Sequence, residues 1–495
     1  MPQTIELSLV SHTNVGKTTL ARTLLGRDVG IVRDEPHVTL SADVHEMVAT
    51  PEGDRLALWD TPGFGDSARL AKRLAQSDNP LGWFLGQVWD RYRDRAFWSS
   101  QQAARNVRDR ADVVLYLVNA SEDPQDAGYV APEMQVLQWI GKPVVVLLNQ
   151  LGRPRPAAEE QADLQRWRDH LAGARCVRAV LAFDAFARCW VQETVLFSAL
   201  AAVVPADKHD AYERLSAQWL RRRREIFEGS LDVLAGRLAR AARDREPVPE
   251  SGWTDRLREL GNALGIRAEA DEGPRQVAMR ALAERLDRDI RASSDRLIAL
   301  HGLGGKASAE ILTRLAEHYA VREPLSEGKA ASLGGIITGA LAGLKADLAS
   351  GGLTFGAGLL VGGVLGALGA AGLARGYNLV RGAGVTTLTW TDQVLDGLAV
   401  SALLGYLAVA HYGRGRGDWA PSEYPAHWQD TVAAAFEQHR EAFGQAWSLR
   451  ADSDASGTVE PALRVAVAAT AGDVLARLYP ADEGDRPRFR EAVDN

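Results

Sequence analysis

Up to about residue 205, short apolar runs alternate with stretches whose apolar residues recur every three or four positions. That pattern predicts an α/β domain, a mostly parallel sheet flanked by helices. The runs predict strands at Ile5–Val10, Val44–Thr50, Arg55–Asp60, Asp112–Asn119, Pro143–Asn149 and Val177–Phe183. Pro51 and Gly53, in "TPEGD" between the second and third runs, predict a hairpin because both residues supply turn geometry. Beyond Pro205 the strand signal stops and helical periodicity takes over. Tyr212, Leu215, Trp219, Ile226, Leu234 and Leu238 form one stripe, and Met279, Leu282, Leu286, Ile290 and Leu297 a second, with "REPVPESG" (Arg245–Gly252) as a polar linker between them. Trp428, Val432, Phe436, His439, Phe443 and Trp447 form a third, which makes His439 a packed residue rather than a ligand. The tail from Pro480 is polar and reads as frayed.

Between the second and third stripes the pattern changes. Ala330–Leu344 carries no charge, and neither do the 27 residues of Leu348–Ala374 or the shorter run Gly397–Ala410. Glycines recur at i+4, at Gly335, Gly339 and Gly343 and again at Gly358, Gly362 and Gly366, leaving grooves in which a second helix backbone can lie close. Two readings stay open for this glycine-rich hydrophobic hairpin: association with, or insertion in, the cytoplasmic (inner) membrane, and a buried hairpin of a soluble bundle. Four segments follow: an α/β domain at 1–205, a helical domain at 206–329, the glycine-rich segment at 330–412 and a helical segment at 413–495.

Composition narrows the picture. At 495 residues the chain exceeds what one core supports, so several domains are expected. Cys176 and Cys189 make neither a disulfide framework nor a zinc spacing, and the first strand begins too early for a signal peptide. A cytoplasmic protein is expected. The net charge of −7 argues against a nucleic-acid coat, and the basic run Arg221–Arg224 reads as a solvated helix face. Nucleic acid is not expected as a partner.

Chemistry concentrates at the ends of the early strands. "SHTNVGKT", Ser11–Thr18, is a phosphate-loop pattern with serine in place of the first glycine. Amides of Asn14, Val15, Gly16, Lys17, Thr18 and Thr19, at the start of a helix, are placed to face phosphates. Lys17 would bridge the β and γ phosphates, and the Thr18 hydroxyl would take a place on Mg2+. "LWDTPG" ends a strand with Asp60, placed for the magnesium, and Gly63, whose amide can sense the γ-phosphate. Between them Thr39 could close over Mg2+ and the γ-phosphate as a switch. Asn149 stands at a strand's carboxyl end, where open α/β sheets bind ligands. Lys17, Thr39 and Gly63 are the candidate catalytic set, and Thr18, Thr39 and Asp60 the candidate magnesium set.

With these motifs, residues 1–205 resemble the Era/TrmE-like branch of the translation-factor-related P-loop GTPases, and the whole chain looks like a bacterial group that joins such a domain to a C-terminal domain of unknown function. The resemblance implies GTP as ligand with Mg2+, slow hydrolysis and a nucleotide-dependent switch. It also implies a K+ site at Asn14, which matches the asparagine of K+-stimulated members. Phe64 stands where many signalling GTPases carry a catalytic glutamine and cannot orient water, so hydrolysis would draw on another group, a cation, or a second copy in a homodimer through this domain. The family's N-K-x-D reads Asn149-Gln150-Leu151-Gly152, without the aspartate that accepts from guanine. That departure leaves relaxed base specificity, including ATP, as an alternative. Asp184 is either a substitute carboxylate or a solvated loop residue. A membrane-anchored or membrane-remodelling protein driven by nucleotide is the competing reading of the whole. The aromatic-rich segment Phe64–Arg110 reads either as a nucleotide-sensitive partner surface or as an extra helical layer.

Overall fold

The computed structural model describes residues 1–26, 29, 42–75, 95–149, 157–183, 190–248, 274–303, 377–381, 386–411, 427–451 and 457–479. Thr39, Asp184, the motif remainder at 150–152 and the glycine-rich runs at 330–344 and 348–374 lie outside the described residues.

Strands β1 (Thr4–Ser11), β2 (Asp43–Ala49), β3 (Arg55–Asp60), β4 (Val113–Asn119), β5 (Val144–Asn149) and β6 (Val177–Ala182) form a six-stranded sheet in the order β2-β3-β1-β4-β5-β6. All neighbours are parallel except the β2–β3 hairpin. Its turn closes through Thr50 N–H to the Asp54 carbonyl at 3.0 Å, with Gly53 at φ 94°, the left-handed region that favours glycine. Each predicted strand is present, with ends shifted by no more than a residue. The helices are α1 (Lys17–Leu25), α2 (Ser67–Leu74), α3 (Arg95–Asp109), α4 (Val130–Ile140), α5 (Ala157–Leu171) and α6 (Trp190–Ala201). This is an α/β fold, a mostly parallel sheet flanked by helices, followed by a mainly helical region.

Strand β4 shows why its run is continuously apolar. Val113, Leu115 and Leu117 join a core with Leu7, Leu9, Leu20 and Leu24 on one sheet face, while Val114, Tyr116 and Val118 join Phe64, Leu70, Phe97 and Met134 on the other. Both faces of a central parallel strand are covered, so alternation disappears. Because β1, β3, β4 and β5 are parallel, their carboxyl ends, Ser11, Asp60, Asn119 and Asn149, lie at one edge. Phe97 is fully buried in that second core, which favours the helical-layer reading for α3.

The chain forms two compact units, Met1–Glu225 with 410–425 and 479–495, and Ile226–Val409 with 426–478. In the second, the latter part of helix α7 (His209–Arg243) packs with α8 (Pro274–Leu300), α9 (Asp392–Ala410), α10 (His427–Ser448) and α11 (Val459–Leu478). Leu234, Leu238, Leu282, Leu286, Val432 and Phe443 are buried as their stripes predict, whereas His439 is half-buried, 3.7 Å from Asp473. The expectation that strands end at Pro205 is corrected by a three-stranded antiparallel sheet of β7 (Arg245–Pro247), β8 (Tyr377–Arg381) and β9 (Thr386–Trp390), ordered β7-β9-β8. Its first strand begins inside the predicted linker. Pro247 is tolerated because β7 is an edge strand.

Helix α9, which contains the whole of the third uncharged run, is long and apolar enough to cross a bilayer, and 78% of its apolar window is buried inside the protein. It carries buried polar contacts. Asp396 accepts from the Trp447 indole at 2.9 Å, and the buried Arg237 guanidinium donates to the Leu398 carbonyl at 3.3 Å.

Candidate functional site

The β1–α1 junction has the backbone a phosphate cradle requires. Asn14 and Gly16 sit at φ 65° and 95°, turning successive amides toward one side before the helix begins at Lys17. Asparagine tolerates that region better than most side chains. Ser11 lies in the strand with ordinary backbone angles, so replacing glycine there carries no conformational penalty. Its hydroxyl instead accepts from Lys17 Nζ at 2.8 Å, and the His12 carbonyl accepts from the same amine at 3.3 Å. Burial pulls the Lys17 pKa down to about 8, against the raising effect of Asp60 and Glu133.

Asp60, at the end of β3, lies beside α1. Thr18 Oγ1 donates to Asp60 Oδ2 at 2.7 Å, while Asp60 Oδ1 is buried without a hydrogen-bond partner. Burial pushes this carboxyl's pKa up, and the Thr18 bond and the Lys17 charge oppose that rise. A hydroxyl and a buried carboxylate with one uncommitted oxygen fit a hard divalent cation. Gly63 packs closely: a Cβ there would come within 3.0 Å of Lys17 Nζ and of Thr13 Cα. Phe64 N–H donates to the Ser11 carbonyl at 2.9 Å, pinning the segment after Gly63 to the phosphate loop, and its ring is fully buried in the core.

Asn149, fully buried at the end of β5, donates to the Val15 carbonyl at 2.8 Å. It thus braces the loop across the sheet. Thr19 is buried inside α1, and the Asn14 side chain is exposed. Asn14, Val15, Gly16, Lys17, Thr18, Asp60, Gly63 and Asn149 therefore converge, and Thr39 lies outside the described residues.

The sequence reading passed over Glu133. This carboxylate of α4 has no exposed surface, accepts from Tyr116 Oη at 2.7 Å and lies 2.8 Å from His12 Nδ1. Its signal was available, since Glu133 interrupts the apolar stripe of Val130, Met134 and Leu137.

A strand, a phosphate loop, a helix and an acidic strand end beside a glycine define a P-loop nucleotide-binding domain. Residues 6–150 match the family described as 50S ribosome-binding GTPase (MMR_HSR1). Residues 170–468, well over half of the chain, match the family described as Domain of unknown function (DUF3482), and the chain belongs to it, with a GTPase domain of the Era and Der type on its amino-terminal side. GTPase Der of Myxococcus xanthus is 29% identical over 29% of this chain and 26% of its own length. GTPase Era of Heliobacterium modesticaldum is 28% identical over 29% of this chain and 39% of its own. The chain thus spans well under half the length of these relatives. A solved structure of Era in complex with MgGDPNP and nucleotides 1506–1542 of 16S ribosomal RNA aligns at 18% identity over 41% of this chain and 58% of that one, with a TM-score of 0.30.

Proposed function

We propose that the chain is a GTP-driven switch: residues 1–205 bind a guanine nucleotide with Mg2+, hydrolyse it slowly, and pass its state to the helical remainder. The observation that carries this is the juxtaposition of the Thr18–Asp60 pair, one Asp60 oxygen uncommitted, with a buried lysine and a glycine at which a Cβ would crowd Lys17 and Thr13. Lys17 supplies positive charge where phosphate oxygens arrive, and Ser11 and His12 hold its amine in place beforehand. Thr18 and Asp60 would hold Mg2+, which when bound neutralises phosphate charge; Thr39 would join them, and the exposed Asn14 would offer an amide oxygen to K+. Slow turnover follows from Phe64. Its ring lies in the core, so the position after Gly63 presents no group to an attacking water.

The test is a titration of fluorescent GTP on the full chain, with ATP and GDP as competitors, K+ against Na+, and Lys17→Ala beside the wild type. GTP binding that ATP displaces poorly, and that Lys17→Ala weakens by about 100-fold or more, is expected, as for loss of a charge-assisted contact to a buried anion. Equal binding by wild type and Lys17→Ala would end the proposal. Equal competition by ATP would replace guanine with a relaxed base choice.

A further inference from the structure

Behind the phosphate loop lies a junction that the nucleotide contacts do not use. Glu133, completely buried, is approached by His12 Nδ1 at 2.8 Å, by the Tyr116 hydroxyl at 2.7 Å, and by the hydroxyl of Ser67. His12 is the second residue of the loop pattern, and Ser67 opens helix α2, four residues after Gly63. The His12 ring is stacked on Tyr129 at 4.5 Å between centroids, which fixes its plane. The backbones agree with this arrangement, since His12 and Phe64 form a parallel bridge beside the Phe64–Ser11 hydrogen bond. One carboxylate thus gathers a donor from the phosphate loop, one from the segment after the D-x-x-G motif and one from strand β4. A buried carboxylate without such donors would be costly, and with three it fixes its neighbours in one arrangement.

We propose that Glu133 is a positioning residue for triphosphate hydrolysis: by fastening His12 and Ser67 to a single point it sets where Gly63 stands relative to Lys17. The inference rests on the GTPase reading. With Phe64 buried, the position after Gly63 presents no group that could correct a misplaced nucleophile, so the rate should depend on how closely these two backbone segments are held. A misplacement of about 1 Å can lower a rate about 100-fold without touching the reacting atoms. Glu133 has no exposed surface, and acts through His12 and Ser67. Glutamine at this place keeps the size but offers one acceptor oxygen and an amide that cannot receive the His12 N–H.

The experiment measures GTP affinity and single-turnover hydrolysis with Mg2+ on the full chain for wild type, Glu133→Gln, Ser67→Ala and Glu193→Gln. Glu193 is a buried carboxylate of α6 paired with Arg223 at 2.9 Å, and controls for the loss of a buried charge. At pH 6.5, where Lys17 keeps its proton, Glu133→Gln is expected to lower the hydrolysis rate about 10- to 100-fold while the Kd for GTP changes less than about threefold, Ser67→Ala to lower the rate less, and Glu193→Gln to change neither. A Glu133→Gln rate within about twofold of wild type overturns the inference, as does an equal loss in Glu193→Gln. A wild type that binds no GTP would overturn the GTPase reading itself, a different result from wild-type turnover that is indifferent to Glu133.

Discussion

Lys17 is a buried ammonium whose pKa has been drawn down to about 8 because burial costs it more than Asp60 and Glu133 return. In the nucleotide-free protein it loses its proton as the pH passes 8, while a bound triphosphate, with several negative charges beside it, restores the charged form. GTP affinity should therefore weaken as pH rises above 8, by up to about tenfold per unit, and binding should take up protons there; calorimetry in buffers of different ionisation enthalpy would measure the uptake. The stability of the free protein has the opposite sign. Lys17 in the unfolded chain holds its proton up to 10.5, so folding sheds a proton between 8 and 10.5 and the contribution of this residue to stability rises with pH across that window. An affinity independent of pH from 7.5 to 9.5 would show that the amine stays charged without nucleotide. Ser11 belongs to the same account, since its hydroxyl receives the lysine where glycine could not.

Among the elements, helix α9 shows that apolar composition alone does not distinguish a membrane span from a core helix. Its length and apolarity satisfy a membrane span, yet Asp396 receives the Trp447 indole at 2.9 Å and Arg440 at 3.3 Å, and burial pushes the carboxyl's pKa up. Asp396→Ala should lower stability by about 1–3 kcal/mol, because the buried Trp447 N–H loses its acceptor. Arg440→Ala, at a side chain 52% exposed, should cost less than about 1 kcal/mol. Urea denaturation of the two variants checks the difference, and equal midpoints would mean that the Trp447–Asp396 bond contributes little. The small sheet teaches the converse lesson. Strand β7 has three residues and pairs with β9, whose residues lie well over a hundred positions later, so no local alternation announced it. Strands β1 and β3 to β6 were legible as local apolar runs, and β2 by the Pro51–Gly53 turn that joins it to β3.

At the scale of the whole molecule, nucleotide is expected to act first on the unit that contains Met1–Glu225. In hydrogen exchange, GTP with Mg2+ should slow peptides spanning Ser11–Thr18 and Asp60–Ser67, and unchanged exchange at both would count against the site. The sequence by itself determined the order of strands and helices in the first unit, the phosphate loop and the D-x-x-G motif, because apolar periodicity and motif spacing are local properties of the chain. It also located Asn149 and the doubt about the base, since both are read from a four-residue motif. Only the tertiary structure decided what these residues hold. Asn149 reaches Val15 across 134 positions, His12 meets Glu133 across 121, and Lys17 turns back to Ser11, contacts that depend on which strands become neighbours. Sheet order is set by the packing of both faces at once, and one segment's pattern does not encode it.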